Sequence, residues 1–244
     1  MKHFSIALIL GIFAALGNMA GSFLVPSRKG HAILVNSMIS IGAGCMMGVV
    51  ILEMLPESLK LTEQAPLFFV LGFMTAHFFE HMIAPHFHFG EETHPEAMLS
   101  RLSSSSAIFG LGIHSLFDGV SIGSGFLVSA PVGWLIFLAI FLHKLPEGFT
   151  ISSIIISSGQ RKKVALVVAG FIGILTIVGL FLTFILHHLL FFALPFSAGI
   201  TLYVAASDLI PIINEFKGNK YSILLFLGFL IYYFSHMIIH GILE

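Results

Sequence analysis

Residues 134–156 read WLIFLAIFLHKLPEGFTISSIII, an apolar run that contains three ionisable side chains and one proline. A helix needs about 20 mainly apolar residues to cross a bilayer, so this run is long enough to span it. Its ionisable residues are His143, Lys144 and Glu147. Such groups are costly inside a membrane and tend to face a protein interior or a water-filled cavity. We therefore predict a transmembrane helix that carries part of a functional site.

The composition of the whole chain is that of an integral membrane protein. Of its 244 residues, 57% are hydrophobic and only 9% are charged, whereas soluble domains carry about a quarter charged residues. The 11 basic and 12 acidic residues nearly balance, so nothing indicates a nucleic-acid partner. The single cysteine, Cys45, excludes an internal disulfide framework.

The hydropathy pattern predicts an all-α membrane protein with eight transmembrane helices in one domain, 1–244. The one long connection, 86–104, is polar, acidic and rich in histidine. Irregular backbone is not stable in contact with lipid, so the apolar segments are expected to be helical. The predicted spans are 4–25, 33–56, 66–85, 105–128, 132–157, 163–186, 190–211 and 221–242.

The basic residues predict the orientation in the membrane. Eight spans place both termini on one side. Lysine and arginine concentrate in cytoplasmic loops, so the termini are expected to be extracytoplasmic and the 86–104 loop cytoplasmic, in a multi-pass protein of the cell membrane. The terminal side holds 2 basic residues, Lys2 and Lys60, and the other side holds 8, Arg28, Lys29, Arg101, Arg161, Lys162, Lys163, Lys217 and Lys220.

The two ends of the sequence resemble each other. FEHMI at 79–83 matches FSHMI at 234–238, a shift of 155 positions. The same shift aligns Gly44 with Gly199, Glu53 with Asp208, and Pro56 with Pro211. Spans 1–3 and 6–8 are therefore predicted to be inverted repeats around a central pair, a 3+2+3 plan that is common among transporters.

The central pair of spans contains two related motifs. HSLFDGVSI at 114–122 and HKLPEGFTI at 143–151 both place a carboxylate four residues after a histidine. Positions i and i+4 lie on one helix face, so His114 pairs with Asp118 and His143 with Glu147. Two such faces opposite each other would form a mixed nitrogen and oxygen site for a divalent transition metal.

These motifs resemble those of the ZIP (Zrt-/Irt-like protein) family of divalent metal transporters. The resemblance rests on H-x-x-x-D-G at 114–119, H-K-x-P-E-G at 143–148, EMLPES at 53–58 and SDLIPI at 207–212. It implies transport of a divalent metal ion into the cytoplasm. The two imidazoles favour zinc or iron(II) over manganese, so we expect zinc first, with iron(II), manganese or cadmium as other candidates. The resemblance also implies no resident cofactor, a cytoplasmic loop that collects metal, and a homodimer. The transport-site ligands that it implies are His114, Asp118, His143 and Glu147.

Two positions depart from the family pattern. Some members form a second, adjacent metal site from residues that directly follow the motif histidines. Here those residues are Ser115 and Lys144. A charged lysine cannot bind a metal ion and repels a second dication. We therefore predict one transported ion, with Lys144 bridging to Asp118 or Glu147.

Three more residues are candidates for the metal path. Cys45 lies eight residues before Glu53, on the same helix face. A thiolate there would complete the site, and the alternative is a small buried apolar side chain. Glu53 and Asp208 are candidates for entry and exit carboxylates, and the alternative is that both meet water at the interface. Each precedes a proline by three residues.

Further histidines have two interpretations each. His81 and His236 are either metal ligands or, as we favour, hydrogen-bonded partners between helices. In the 86–104 loop, a histidine tract indicates weak metal binding on composition alone, and the alternative is a solvated loop. The ligand-type residues of that loop are His86, His88, Glu91, Glu92, His94 and Glu96.

Two other function classes remain open. An intramembrane zinc hydrolase would also use histidine and carboxylate ligands, with a water on an open position, but the H-E-x-x-H motif is absent. A proton-coupled carrier of an organic solute would use the same residues as a proton relay. We favour a metal carrier, which is not an enzyme.

Overall fold

A computed structural model of the chain describes residues 2–24, 29–80, 101–157, 159–216 and 218–243. These residues form helices joined by short connections, and no strand occurs among them. The α-helices are α1 (Lys2–Phe23), α2 (Lys29–Val49), α3 (Leu55–Leu61), α4 (Ala65–Phe78), α5 (Arg101–Val128), α6 (Ala130–Ser157), α7 (Lys162–Ile185), α8 (Leu190–Tyr203), α9 (Ile210–Glu215) and α10 (Lys220–Leu243).

The helices account for seven to eight membrane spans. Within the described ranges, seven helices are long and apolar enough to cross a bilayer. The span predicted at 66–85 corresponds to α4, a shorter apolar helix, and its residues beyond Glu80 lie outside the described part. The chain is therefore a multi-pass membrane protein, as its composition predicts.

Spans 2 and 7 each contain a π-helical segment at the same relative place. Helix α2 continues through the π-helix Val50–Met54 into α3, and α8 continues through Val204–Leu209 into α9. Each segment ends just before a proline in the first turn of the next helix, Pro56 or Pro211. Proline lacks an N–H and crowds the carbonyl four residues earlier, and a wider π-turn accommodates both effects. Such turns occur often at functional sites.

Helix α6 runs without interruption through Pro146. The sequence leads us to expect a break at this proline, because proline removes one helical hydrogen bond. The helix instead continues, with its neighbours α1, α5 and α7 packed around it. A packed protein environment tolerates such a lost bond inside a membrane.

The helices form two groups, which we call the site bundle (α1, α5, α6, α7) and the flanking bundle (α2–α3, α4, α8–α9, α10). Within the flanking bundle, α2 packs on α10 and α4 packs on α8. The two bundles meet where α2 contacts α6 and where α5 contacts α8.

Glycines set the close spacing inside the site bundle. A Cβ atom on Gly119 of α5 would collide with the carbonyl oxygen of Thr176 of α7. In the same way, a Cβ on Gly148 of α6 would collide with the carbonyl oxygen of Asn18 of α1. Small residues allow membrane helices to approach this closely. Both glycines directly follow a motif carboxylate, so this packing fixes the depth and orientation of both carboxylates.

Candidate metal centre

Four side chains from the central helices converge inside the site bundle. Helix α5 supplies His114 and Asp118, and α6 supplies His143 and Glu147. All four are buried, and one potential ligand atom from each lies within 4.8 Å of the others. The i, i+4 spacing puts each pair on one helix face, and the packing of α5 on α6 brings the two faces together.

A hydrogen bond from one ring nitrogen of His143 orients the other ring nitrogen toward this cluster. Its Nδ1–H donates to the carbonyl oxygen of Ala139 at 3.2 Å. In the neutral ring, Nε2 then presents a lone pair, and it lies 3.3 Å from Asp118 Oδ2. His114 Nε2 lies 3.4 Å from the same oxygen. Metal-binding histidines commonly donate their other N–H to a carbonyl in this way, which fixes the ring.

Lys144 forms ion pairs with both carboxylates of the cluster. Its ammonium nitrogen lies 2.7 Å from Asp118 Oδ2, 2.6 Å from Glu147 Oε2 and 2.6 Å from Ser115 Oγ. The Ser115 hydroxyl in turn donates to Glu147 Oε1 at 2.6 Å. This confirms the predicted bridge from Lys144, which reaches both acidic residues. With both carboxylates ionised, the side chains of Lys144, Asp118, Glu147 and Ser115 together carry a net charge of −1.

Helix α1 contributes a residue that the sequence did not identify as part of the site. The Asn18 side chain is fully buried, and its Nδ2–H donates to Glu147 Oε1 at 3.4 Å. Its Oδ1 has no hydrogen-bond partner among the described residues. The available signal was a single asparagine within an otherwise apolar stretch of α1.

Two cavities adjoin the cluster at the boundary between the bundles. A small cavity is lined by His114, His143 and Glu147 together with Val204 and Leu209 of the π-helical segment. A second, somewhat larger cavity extends from His114 to Glu80, Tyr203 and Asp208. His114 and Val204 line both cavities, so both lead to the same side of the cluster.

Asp208 and Glu53 lie away from the four-residue cluster. Asp208 is buried in the second cavity, where its carboxyl group interacts with that of Glu80. Glu53 is buried on the other π-helical segment, and its Oε2 lies 2.7 Å from His236 Nδ1. His236 thus bonds across helices, which matches the interpretation we favour for it. The position of Glu80, which the sequence did not explain, is beside Asp208.

Cys45 contacts helix α10 and not the four-residue cluster. Its buried thiol donates to the carbonyl oxygen of Gly228 of α10 at 3.1 Å. Cys45 and Glu53 do share one face, as their spacing predicts, and that face meets α10. The structure therefore does not bring Cys45 together with the four clustered residues. His81 and the histidines and acids of 86–104 lie outside the described residues.

Comparisons with known proteins give a consistent set of relatives. The sequence model of the family described as Zip, ZIP Zinc transporter, matches residues 90–236. "Zinc transporter ZIP9" of Micropogonias undulatus is 30% identical over 167 residues, which is 63% of this chain and 52% of that protein.

More distant animal proteins match shorter regions. "Zinc transporter ZIP9-B" of Xenopus laevis is 29% identical over 154 residues, 58% of this chain and 50% of that protein. "Zinc transporter ZIP6" of Homo sapiens is 26% identical over 110 residues, 43% of this chain and 14% of that protein. The aligned regions thus span about half, or less, of the length of these relatives.

Proposed function

This chain belongs to the ZIP zinc transporter family, whose sequence model matches more than half of its residues, and we propose that it carries a divalent transition metal ion, zinc first, across the membrane into the cytoplasm. Members of this family are transporters and not enzymes. The observation that carries the proposal is the buried cluster of His114, Asp118, His143 and Glu147, whose ligand atoms lie within 4.8 Å of one another.

The donor set of this cluster suits zinc. Zinc accepts imidazole nitrogen and carboxylate oxygen in a four-coordinate arrangement. Two imidazoles favour zinc or iron(II) over manganese, which prefers oxygen ligands. Two carboxylates offset the charge of a dication that has left water. Cadmium and iron(II) are therefore the first competitors to test.

The charge of Lys144 limits the site to one ion. Without metal, two carboxylates and one ammonium group give −1, and one dication changes this to +1. A second dication would raise it to +3 in a buried environment, where unbalanced charge is strongly unfavourable. Lys144 also occupies the space between Asp118 Oδ2 and Glu147 Oε2 that a second ion would need.

Two carboxylates on the π-helical segments serve as stations for the ion. Asp208 and Glu80 line the cavity that reaches His114, and we assign them to release on the cytoplasmic side. Glu53 lies on the corresponding segment of the other repeat and is assigned to entry. The orientation follows from the basic residues, with both termini and Lys60 extracytoplasmic.

An inverted repeat of spans 1–3 and 6–8 is supported by matching structural details. The two π-helical segments contain Glu53 and Asp208, which the sequence repeat aligns. Helix α2 packs on α10, and its counterpart α8 packs on α4. Gly148 meets Asn18 of the first span, and its motif counterpart Gly119 meets Thr176 of the sixth.

This arrangement suggests how the ion crosses the membrane. All four candidate ligands belong to the site bundle, while Glu53 and Asp208 belong to the flanking bundle. Movement of the site bundle against the flanking bundle would expose the ion first to one station and then to the other. We further assign residues 1–244 to one transporter domain in the cell membrane, which acts as a homodimer, with the 86–104 loop as a cytoplasmic metal collector.

Direct binding to the purified protein tests the proposed site. Zinc affinity is measured by equilibrium dialysis for the wild type, His143→Ala and His187→Ala. We expect His143→Ala to weaken zinc binding by roughly 100-fold or more, because loss of a ligand costs at least as much as loss of a hydrogen-bond partner of a ligand. His187 is exposed and lies in the turn between α7 and α8, so His187→Ala should bind like the wild type. Equal affinity in all three proteins would contradict the assignment.

A further inference from the structure

Asn18 is a buried amide of helix α1 that hydrogen-bonds one of the clustered carboxylates. Helix α1 is apolar over most of its length, and the Asn18 side chain has no exposed surface. Burying an amide without full hydrogen bonding is unfavourable in proteins. Such a residue inside a membrane helix therefore calls for a specific partner.

That partner is Glu147. Asn18 Nδ2 lies 3.4 Å from Glu147 Oε1, and the oxygen also accepts the Ser115 hydroxyl hydrogen. The other carboxylate oxygen, Oε2, accepts a hydrogen bond from Lys144. Glu147 is thus held by one donor from each of α1, α5 and α6, which fixes its position before any ion arrives.

The packing of α1 on α6 places Asn18 at this point. The carbonyl oxygen of Asn18 occupies the space that a Cβ atom on Gly148 would need, and Gly148 directly follows Glu147. Asn18 Oδ1 has no hydrogen-bond partner among the described residues, so the amide reaches its neighbours through Nδ2. Among the described residues, the Asn18 side chain forms one hydrogen bond, to the Glu147 carboxylate.

From these contacts we propose that Asn18 is a positioning residue of the metal site, which sets the affinity for the transported ion by holding Glu147. The inference rests on the proposed function, because it needs Glu147 as a ligand. Partners of metal ligands typically change affinity by about 10- to 100-fold when they are removed. A single long hydrogen bond places Asn18 near the lower end of that range.

The test compares zinc affinities of purified full-length variants by equilibrium dialysis. Asn18→Ala should weaken binding about 10-fold. Asn18→Leu keeps the number and branching of the side-chain heavy atoms but lacks an N–H donor, and it should weaken binding equally. Ser22→Ala is the matched control, because Ser22 bonds Ser152 across the same α1–α6 contact at 2.5 Å but does not contact Glu147. It should bind zinc like the wild type.

A double-mutant cycle shows whether Asn18 acts through Glu147. In a Glu147→Ala background, Asn18→Ala should change zinc affinity less than about 2-fold, because the acceptor of the Asn18 hydrogen bond is already gone. Full affinity in Asn18→Leu would assign the effect to packing, and an undiminished loss in the Glu147→Ala background would assign it to another route. Either result overturns the inference and leaves the proposed function intact. If Glu147→Ala itself binds zinc like the wild type, the proposed function fails, and this inference with it.

Discussion

The ammonium nitrogen of Lys144 lies 2.7 Å from Oδ2 of Asp118, and both side chains are buried. The same nitrogen lies 2.6 Å from Oε2 of Glu147. A built-in cation thus reduces the charge of the site while no metal is bound. Two buried carboxylates without any cation would be strongly unfavourable in the membrane interior. In the proposed transport site, Lys144 would compensate both carboxylates before a metal ion arrives.

Replacing Lys144 should make the protein depend on metal for stability. Lys144→Gln removes the charge and leaves two carboxylates uncompensated, and breaking a buried pair costs about 3–5 kcal/mol. We expect a lower unfolding temperature with a chelator present, and a larger increase on adding zinc than in the wild type. Thermal unfolding of the detergent-solubilised protein measures both.

Lys60→Gln is the control for this experiment. Lys60 bonds Glu57 on an exposed surface, where such pairs contribute about 0–1 kcal/mol, so its unfolding temperature should stay near that of the wild type. If Lys144→Gln unfolds at the wild-type temperature in chelator, Lys144 does not compensate the carboxylates.

A methyl group on Gly119 should disturb the site through the contact between α5 and α7. Gly119→Ala places a Cβ against the carbonyl oxygen of Thr176 and must push α5 away from α7. Overpacking of this kind costs about 1–3 kcal/mol, and the shift moves the adjacent Asp118. We expect a lower unfolding temperature and weaker zinc binding. Gly110→Ala on the same helix meets nothing within 4 Å, and a result for Gly119→Ala no different from this control would refute the argument.

Neutralising the carboxylates of the π-helical segments should slow transport without changing binding at the centre. Glu53→Gln and Asp208→Asn remove charges that we assign to entry and release, while the four-residue cluster stays intact. We expect several-fold slower zinc uptake into proteoliposomes at unchanged zinc affinity in detergent. Glu215→Gln, an exposed carboxylate at the end of α9, should transport normally. Wild-type uptake in both variants would rule out their role as stations.

Cysteine labelling tests the orientation that the basic residues predict. The native Cys45 is fully buried, so labelling of an introduced cysteine can be measured without a contribution from Cys45. Glu63 lies in the exposed connection between α3 and α4, and Gln160 lies in the exposed connection between α6 and α7. In intact cells, a membrane-impermeant maleimide should label Glu63→Cys and spare Gln160→Cys. The reverse pattern would invert the topology and the direction assigned to transport.

The sequence predicted the features of the site that depend on local spacing. Each histidine and its carboxylate are four residues apart, so one helical turn places them on one face whatever the tertiary structure. Because the two motifs match each other, the meeting of His114 and Asp118 with His143 and Glu147 was a reasonable expectation. Lys144 follows His143 directly, so its position near the carboxylates was also predictable.

Contacts between distant segments were not predictable in this way. Asn18 and Glu147 are 129 positions apart, and an isolated asparagine in an apolar helix does not reveal its partner. Spacing placed Cys45 and Glu53 on one face, but only the packing of α10 shows which neighbour that face meets. The π-helical turns were not predicted either, because a regular 3.6-residue period assumes that the helix is uniform.

Uptake of metal ions into proteoliposomes tests the central claim most directly. Purified wild type and Glu147→Ala are reconstituted in parallel, and the initial rates are compared for zinc, iron(II), manganese and cadmium. We predict saturable uptake, fastest for zinc, that disappears in Glu147→Ala while Ser22→Ala retains it. Equal uptake by the wild type and Glu147→Ala, or no uptake of any ion by the wild type, would contradict the assignment of this chain as a metal carrier that uses the buried histidine and carboxylate site.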